Sequence, residues 1–214
     1  MTTGGRRLRA DAARNRERLL DAASRIVAER GVDAPLEEIA RQAGVSIGTL
    51  YNHFPTREAL LDAVLVGRLA SLDRLGSEAL AAPDPWDGFA GFVEGLFALQ
   101  AENHGLNDAI ARAGSFSPEA AAACHRGFRH VDQIIARARE AGRLRPDFET
   151  ADLITLVWAV SQVIRESMSA APDAWRRFLA FFLDGLRPGA ARPLPVEPLG
   201  PDRLAAILGP PPAT

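Results

Sequence analysis

The sequence predicts an all-α protein of about nine helices. Alanine, leucine, arginine and glutamate, which favour helices, dominate the 214 residues. Apolar residues recur at three- and four-residue spacings, whereas the alternation of β-branched residues that is typical of strands is absent. The periodic segments end at glycine or proline, which mark helix boundaries.

Three helices are predicted in the first 55 or so residues, two of them very short. Asp11–Arg30 carries an apolar stripe and stops at Gly31. Pro35–Ala43 begins with a proline, which suits the first turn of a helix, and is followed by Gly44. A third helix over about 46–54 begins at a serine, a favoured N-cap. Two short helices joined by a glycine-containing turn form a helix-turn-helix arrangement.

The remaining chain predicts six helices, one of them short, and a loose tail. A threonine caps the first of them, and Pro83 and Pro85 follow it. A serine–proline step opens the helix at Ser117, which ends before Gly142 and Pro146. Eight prolines among the last 27 residues predict a tail over 188–214 with one helical turn near Leu204–Leu208. The predicted helices are Thr56–Ala82, Trp86–Asn103, Gly105–Ala113, Ser117–Ala141, Thr150–Ser169 and Pro172–Arg187.

Charge divides the chain into a basic front and an acidic remainder. Residues 1–57 hold ten arginines against seven acids, and the remainder holds fifteen against twenty. We therefore expect a polyanionic partner to meet the N-terminal part. A lone cysteine, Cys124, and the lack of an apolar leader predict a cytoplasmic protein without disulfides. We found no nucleophile elbow, phosphate loop, zinc motif or dinucleotide fingerprint, so no catalytic residue, cofactor or metal is predicted.

The helix over 46–54 has an unusual polar face. On a helical wheel Leu50 and Phe54 define the side toward the core, and Gly48 and Asn52 lie opposite. A glycine at the centre of that outer face lets the backbone approach another molecule closely. These features suit a helix that enters the major groove of DNA. A solvated short helix in an ordinary helical domain would show the same wheel.

The run Leu36–Leu61, LEEIARQAGVSIGTLYNHFPTREALL, resembles the DNA-binding signature of the TetR/AcrR family of bacterial transcriptional regulators. The resemblance implies a homodimer that binds a pseudo-palindromic operator. It also implies release, most often of a repressor, when a small, mostly apolar molecule binds the C-terminal domain. The implied domains are a flexible basic arm at 1–10, a DNA-binding domain at 11–70, an effector-binding and dimerisation domain at 71–187, and the tail. The alternatives are a helical ligand-binding protein or adaptor without operator binding, and an all-α enzyme.

The resemblance also implies roles for individual residues of the helix-turn-helix. Ile47 is a point of conflict, because the wheel places it near the core whereas the family position faces DNA. Pro35 departs from the family, which often has a phosphate-binding threonine there. The basic arm would contact a minor groove or phosphates, or remain solvated. The predicted DNA-binding residues are Ser46, Ile47, Gly48, Thr49, Tyr51, Asn52, His53 and Arg57.

In the C-terminal domain, the last two core helices are apolar over most of their circumference, which predicts burial against a second chain or within the monomer. Each aromatic residue near the candidate pocket could equally belong to the core. Metal sensing by His125 and His130 lacks supporting ligands. The predicted dimer residues are Leu153, Leu156, Val157, Val160, Ile164, Trp175, Phe178 and Phe182. The predicted pocket residues are Phe89, Phe92, Val93, Phe97, His104, Phe116, Cys124, Phe128 and Trp158.

Overall fold

The computed structural model describes residues 3–102 and 117–208, and every regular element in these ranges is helical, as the sequence predicts. A single 3-10 turn lies at Pro188–Ala190. The short helix predicted at Gly105–Ala113 lies outside the described residues. The helices are α1 Thr3–Arg30, α2 Leu36–Gln42, α3 Ile47–His53, α4 Arg57–Ala81, α5 Pro85–Glu102, α6 Pro118–Glu140, α7 Thr150–Ser167, α8 Ala174–Gly185 and α9 Pro201–Leu208.

The chain forms two compact units. One comprises Met1–Arg68 with Gly105–Ala120, and the other comprises Leu69–His104 with Ala121–Thr214. The division falls within α4, so this one continuous helix contributes residues to both units. The helix begins as expected from its cap, because the backbone N–H of Ala59 donates to Thr56 Oγ1 at 3.1 Å.

The first unit has its own apolar core, built from one face of α1 and from the helix-turn-helix. Leu19 and Ala23 of α1 are completely buried, and they belong to one cluster with Ile39 of α2 and Leu50 of α3. Leu60 at the start of α4 completes this cluster. The small α2 and α3 cannot be stable alone, since helices this short are marginal in water. Their stability therefore comes from this shared core.

Residues 3–10, which belong to the arm predicted at 1–10, are helical. The helix α1 begins at Thr3, eight residues before the predicted start at Asp11. The physical reason is local: Arg6, Arg7, Leu8, Arg9 and Ala10 are good helix formers, and no proline interrupts them.

The second unit is built around a larger aromatic and aliphatic core. Phe89 of α5 packs edge-on against Phe148, with ring centroids 5.6 Å apart. Phe97 of the same helix packs against Trp175 of α8, with ring centroids 6.4 Å apart. Leu156 and Val160 of α7 are also buried in this cluster. The core thus joins α5, α7 and α8.

The C-terminal tail is more ordered than the single helical turn predicted near Leu204–Leu208. An eight-residue helix, α9, runs from Pro201 to Leu208. Proline at its first position and Asp202 in its first turn favour a helix start. Before it, Arg145 Nη2 donates to the carbonyl oxygen of Arg192 at 2.9 Å and fixes that part of the tail to the second unit. In the described ranges, no helix combines the length and apolar character needed to span a membrane.

Candidate nucleic-acid interface and ligand cavity

The turn between α2 and α3 has the geometry that its sequence predicts. Gly44 adopts φ of +66°, a left-handed conformation that side chains disfavour. The backbone N–H of Val45 donates to the carbonyl oxygen of Ala40 at 3.0 Å, which closes the turn. Ala40 is 2% exposed, so its small side chain allows α2 to lie close to its neighbours. The turn therefore fixes the direction in which α3 leaves it.

Ser46 is the N-cap of α3, as predicted. Its Oγ accepts the backbone N–H of Thr49 at 3.1 Å, and the two side-chain oxygens lie 2.9 Å apart. This cap satisfies one of the backbone donors that a helix start leaves without an intrahelical partner. A seven-residue helix depends strongly on such a cap because it has few internal hydrogen bonds.

Burial divides α3 into a core side and an open side. Leu50 is completely buried and Phe54, just after the helix, is 3% exposed. Gly48 and Asn52 are exposed on the other side, and 47% of the Tyr51 surface is accessible. Thr49 and His53 are half-buried on the flanks. A Cβ added to Gly48 would meet only Ser46 Oγ, at 3.8 Å, so the centre of the open side is free of neighbouring protein atoms.

Ile47 occupies a boundary position. It is half-buried and packs against the core of the first unit, yet part of its side chain stays accessible. The conflict between the wheel and the resemblance therefore has a physical basis, since this side chain lies at the edge of both surfaces.

Arg57 makes contacts that the sequence did not predict. Its Nη1 donates to the carbonyl oxygens of Val32 and Ala34, at 2.9 and 2.6 Å. These bonds link the start of α4 to the loop between α1 and α2. The guanidinium therefore has a structural role besides any contact with a phosphate. Pro35, the N-cap of α2, makes no side-chain capping bond.

Two arginines of α1 lie beside the ends of α3, and sequence reasoning missed both. Arg18 Nη2 is 3.4 Å from the carbonyl oxygen of Gly44, before the helix. Arg16 lies over the ring of Phe54, after the helix, with its guanidinium carbon 5.3 Å from the ring centroid. Both side chains are exposed. The net positive charge of residues 1–57 was the available signal, but only the fold shows that Arg16 and Arg18 lie beside α3.

The second unit contains an apolar cavity of about 290 Å³ between four helices. No charged side chain lines it, and Thr150 is the only polar residue among the lining residues described. Such a cavity suits an apolar or aromatic molecule. The lining residues are Leu69 and Leu72 of α4, Phe92 and Leu96 of α5, Gly127, Phe128 and Val131 of α6, and Thr150, Leu153, Ile154 and Val157 of α7.

The predicted pocket residues separate into three groups. Phe92 and Phe128 line the cavity. Phe89, Val93 and Phe97 do not line it; they are at most 1% exposed and belong to the core of the second unit. Trp158 does not line it either, and 37% of its surface is exposed. His104, Phe116 and the side chain of Cys124 lie outside the described part of the structure.

A buried polar pair between α5 and α7 was not predicted. Gln100 is 9% exposed, and its Oε1 accepts the hydroxyl of Ser161 at 2.7 Å. Each of these residues follows a cavity-lining residue, Leu96 or Val157, by one helical turn. Isolated Ser and Gln residues in apolar helices give no signal of their mutual contact in sequence.

Most of the residues predicted for a dimer contact are buried within the single chain. Leu153, Leu156, Val160, Ile164 and Trp175 are each at most 3% exposed, so they have almost no accessible surface for a contact with a second chain. The sequence shows that both helices are apolar over much of their circumference, but not which side the chain's own core covers. Phe178 is 40% exposed, and Val157 and Phe182 are half-buried.

The accessible apolar surface of α7 and α8 is mainly aromatic. Phe178 and Phe182 of α8 line one groove with Thr155 and Ala159 of α7. We call the exposed side chains Trp158, Phe178 and Phe181, together with the half-buried Phe182, the aromatic face. Phe181 is 64% exposed, an unusual state for a phenylalanine in a folded domain.

Two family models match this chain. Residues 19–64 match the model described as bacterial regulatory proteins, tetR family, and thus include the helix-turn-helix. Residues 84–188 match the C-terminal domain described as transcriptional regulator SbtR-like. The second match begins near α5 and ends at the 3-10 turn, so most of the tail lies beyond it.

Curated and solved relatives agree with these models. The chain is 32% identical, over 67% of its length and 72% of the relative's, to the HTH-type transcriptional repressor KstR of Mycolicibacterium smegmatis. It is 31% identical to the HTH-type transcriptional regulator UidR of Escherichia coli, covering 84% of this chain and 93% of that one. A crystal structure of a TetR transcription regulatory protein from Mycobacterium vanbaalenii is 33% identical with a TM-score of 0.59, over 84% and 99% of the two chains.

Proposed function

The chain belongs to the TetR family of bacterial regulatory proteins and is a DNA-binding transcriptional regulator; we propose that it is a repressor released from its operator by a small apolar effector. The observation that carries the DNA-binding part is the open side of α3. Gly48, Tyr51 and Asn52 are exposed there, while Leu50 and Phe54 hold the helix on the core. The repressor activity is proposed from the similarity to KstR, which is named a repressor.

We propose that some residues of α3 contact bases and others contact the DNA backbone. Asn52 and the backbone at Gly48 approach base edges, and Ile47 offers an apolar contact for a thymine methyl. Ser46, Thr49, Tyr51 and His53 supply hydrogen bonds to phosphates or sugars at the flanks. Arg16 and Arg18, which lie beside the two ends of the helix, add positive charge for phosphates.

The apolar cavity is the proposed effector site. Leu69 and Leu72 of α4 line it, and the same helix contributes Leu60 and Val64 to the core of the DNA-binding unit. An effector that binds one position of α4 more tightly shifts the protein toward it and changes operator affinity. Couplings of this kind are typically about 1–3 kcal/mol, or about 5- to 150-fold in affinity.

A homodimer is the proposed assembly, formed through the aromatic face. Two recognition helices related by a two-fold axis then contact half-sites about one DNA turn, roughly 34–36 Å, apart. The residues proposed for the contact are Trp158, Phe178, Phe181 and Phe182, in place of the buried residues that the sequence suggested. This arrangement of sites supports a regulator rather than an enzyme.

DNA-affinity sequencing with the purified protein tests the proposal. We expect enrichment of a pseudo-palindrome, and loss of that enrichment in Tyr51→Ala, with the melting temperature nearly unchanged because Tyr51 is half-exposed. Apolar compounds are then screened for release of the enriched fragment. A protein that binds such compounds but enriches no sequence at low salt would be a ligand-binding protein without an operator.

A further inference from the structure

A second cavity shares one lining residue with the apolar cavity. The second cavity, of about 690 Å³, lies between α6, the start of α7 and the C-terminal tail. Thr150 lines both cavities, and its hydroxyl donates to Asp132 Oδ1 at 2.6 Å. We call the apolar cavity the inner chamber and the second cavity the outer chamber. Thr150 is therefore the residue that the two linings have in common.

The tail supplies part of the outer wall. Leu199, just before α9, and Leu204 within it line the outer chamber, and both are half-buried. The matched C-terminal family model ends at residue 188, so this wall is built from a segment that the model does not include. The tail thus supplies two of the eleven described residues that line the outer chamber.

The two chambers differ in charge. The described lining of the inner chamber has no charged residue. The outer chamber has three carboxylates, Asp132, Glu140 and Glu149, against one guanidinium, Arg139. The carboxylate of Glu149 also accepts a backbone N–H at the start of α7, and Arg139 Nη1 donates to the carbonyl oxygen of Phe148 at 3.4 Å. Neither contact reverses the acidic balance.

We propose that the two chambers form one effector site for an elongated amphipathic molecule with a neutral or cationic polar end. The apolar part occupies the inner chamber, where a charge would lose its hydration without a partner. The polar end lies in the outer chamber, where the acidic side chains disfavour carboxylates, sulfates and phosphates and favour cations or hydroxyl groups. Leu199 and Leu204 contact the part of the molecule that lies in the outer chamber. This proposal rests on the proposed effector function of the second unit.

The test uses three ligands with the same alkyl chain: decanol, decyltrimethylammonium and decanoate, each below its micelle-forming concentration. Their affinities for the full-length protein are measured by displacement of the neutral dye Nile red. We expect decanoate to bind at least about tenfold more weakly than decyltrimethylammonium, because like charges meet in the outer chamber. Equal affinities for the cation and the carboxylate, or no displacement by any of the three, would overturn the proposal.

Two sets of variants connect the effect to the outer chamber. Asp132→Asn combined with Glu140→Gln should reduce the difference between cation and carboxylate to about threefold or less. Glu197→Gln, a matched change at an exposed tail residue outside the chamber, should leave it unchanged. Leu199→Ser combined with Leu204→Ser should weaken all three ligands about five- to tenfold. The control Ile207→Ser alters an exposed tail residue that does not line the chamber and should have no effect.

Operator release, measured on the same samples, separates this proposal from the proposed function. Binding with the expected charge preference but without release would support the two-chamber site and contradict effector control. Release by compounds that show no charge preference, with unchanged affinity in the leucine variants, would support effector control and overturn the two-chamber site.

Discussion

At the residue scale, two glycines of the helix-turn-helix have opposite roles, and substitution by alanine should distinguish them. Gly44→Ala places a Cβ at positive φ, where it would collide with Arg18 Nη2, so we expect a loss of about 1 kcal/mol or more in unfolding free energy. Gly48→Ala meets no neighbour closer than 3.8 Å in an ordinary helical conformation and should gain about 0.5–1 kcal/mol.

In Gly48→Ala, operator affinity should change in the opposite direction to stability. Gly48→Ala adds a methyl group to the side of α3 that we assign to DNA, so its operator affinity should fall about tenfold or more despite the higher stability. Urea denaturation and fluorescence anisotropy with operator DNA measure the two quantities. Unchanged affinity in Gly48→Ala would show that the open side of α3 does not approach the bases.

Ile47→Gln tests the boundary position of α3. The side chain is half-buried, so the free energy of unfolding should fall by about 1 kcal/mol. Complete burial of such a side chain contributes more, roughly 1.5–3 kcal/mol. Operator preference should change at one base position, because the apolar contact is replaced by an amide. A larger loss of stability with no change in preference would place Ile47 entirely in the core.

The local chemistry of single residues was the most predictable part of the molecule. The cap at Ser46 and the turn at Gly44 were predicted because each depends on a few neighbouring residues. The carbonyl contacts of Arg57 were not, because their acceptors, Val32 and Ala34, precede it by 25 and 23 residues. Long-range contacts of a flexible cation leave no periodic signal in the sequence.

At the element scale, the contact between α4 and α6 depends on a glycine. A Cβ on Gly76 would lie 2.8 Å from His130 Cβ and 2.5 Å from its Nδ1, so Gly76→Ala should cost about 1–3 kcal/mol. The control is Gly91→Ala in α5, where no atom lies within 4 Å and the helix should gain about 0.5–1 kcal/mol. Equal effects in urea denaturation would show that His130 moves aside without cost.

The start of α5 should show a dependence on pH. Backbone N–H groups of Trp86 and Asp87 donate to Asp84 Oδ1, at 2.7 and 3.3 Å, and hold the pKa of Asp84 below its ordinary value. A depressed pKa in the folded state means that this stabilisation is present above the unfolded pKa, about 3.9, and is lost as pH falls through the folded pKa.

The variant Asp84→Asn keeps an acceptor oxygen but removes this titration. Its melting temperature should therefore be lower than that of the wild type near neutral pH, and the difference should shrink as the pH falls below about 4. A difference that stays constant between neutral and acidic pH would show that the carboxylate charge does not stabilise this helix start.

Element boundaries show where sequence reasoning works and where it does not. Glycine and proline signals placed the ends of α1 and α3 correctly, because those residues act on the backbone locally. The helix α1 begins at Thr3, earlier than predicted, and α9 is longer than the single turn that was predicted. In both cases a polar or proline-rich composition suggests an irregular terminus, although the residues themselves favour a helix.

At the scale of the whole molecule, the first unit was far more predictable than the second. The helix-turn-helix signature has many residues at set spacings, so α3 and the helices beside it could be predicted together. In the second unit, a helical wheel shows that α7 is apolar on two sides but cannot show which side packs inward. The core takes Leu153, Leu156, Val160 and Ile164, and the aromatic face stays exposed. Only the fold distinguishes core, cavity and surface there.

This distinction leads to a prediction about assembly. Phe178 is 40% exposed and Phe181 is 64% exposed. Burial of each side chain at a contact between two chains would stabilise the dimer by about 1.5 kcal/mol or more. Replacing both with aspartate should convert the dimer to a folded monomer, because an unpaired buried carboxylate is strongly unfavourable at an apolar contact. The matched control is Ile207→Asp, since that isoleucine is 56% exposed in α9 and does not line the groove of Phe178 and Phe182. Light scattering at micromolar concentration and circular dichroism measure the mass and the fold.

Operator binding completes this test, because a monomer offers one recognition helix to a site with two half-sites. We expect the Phe178→Asp, Phe181→Asp protein to bind a single half-site with the same affinity as it binds the full operator, whereas the wild type should prefer the full operator by about 100-fold or more. The control should resemble the wild type in both measurements. If the double variant remains a dimer with full operator affinity, the contact between chains lies elsewhere on the second unit, and the aromatic face needs another explanation for its exposure.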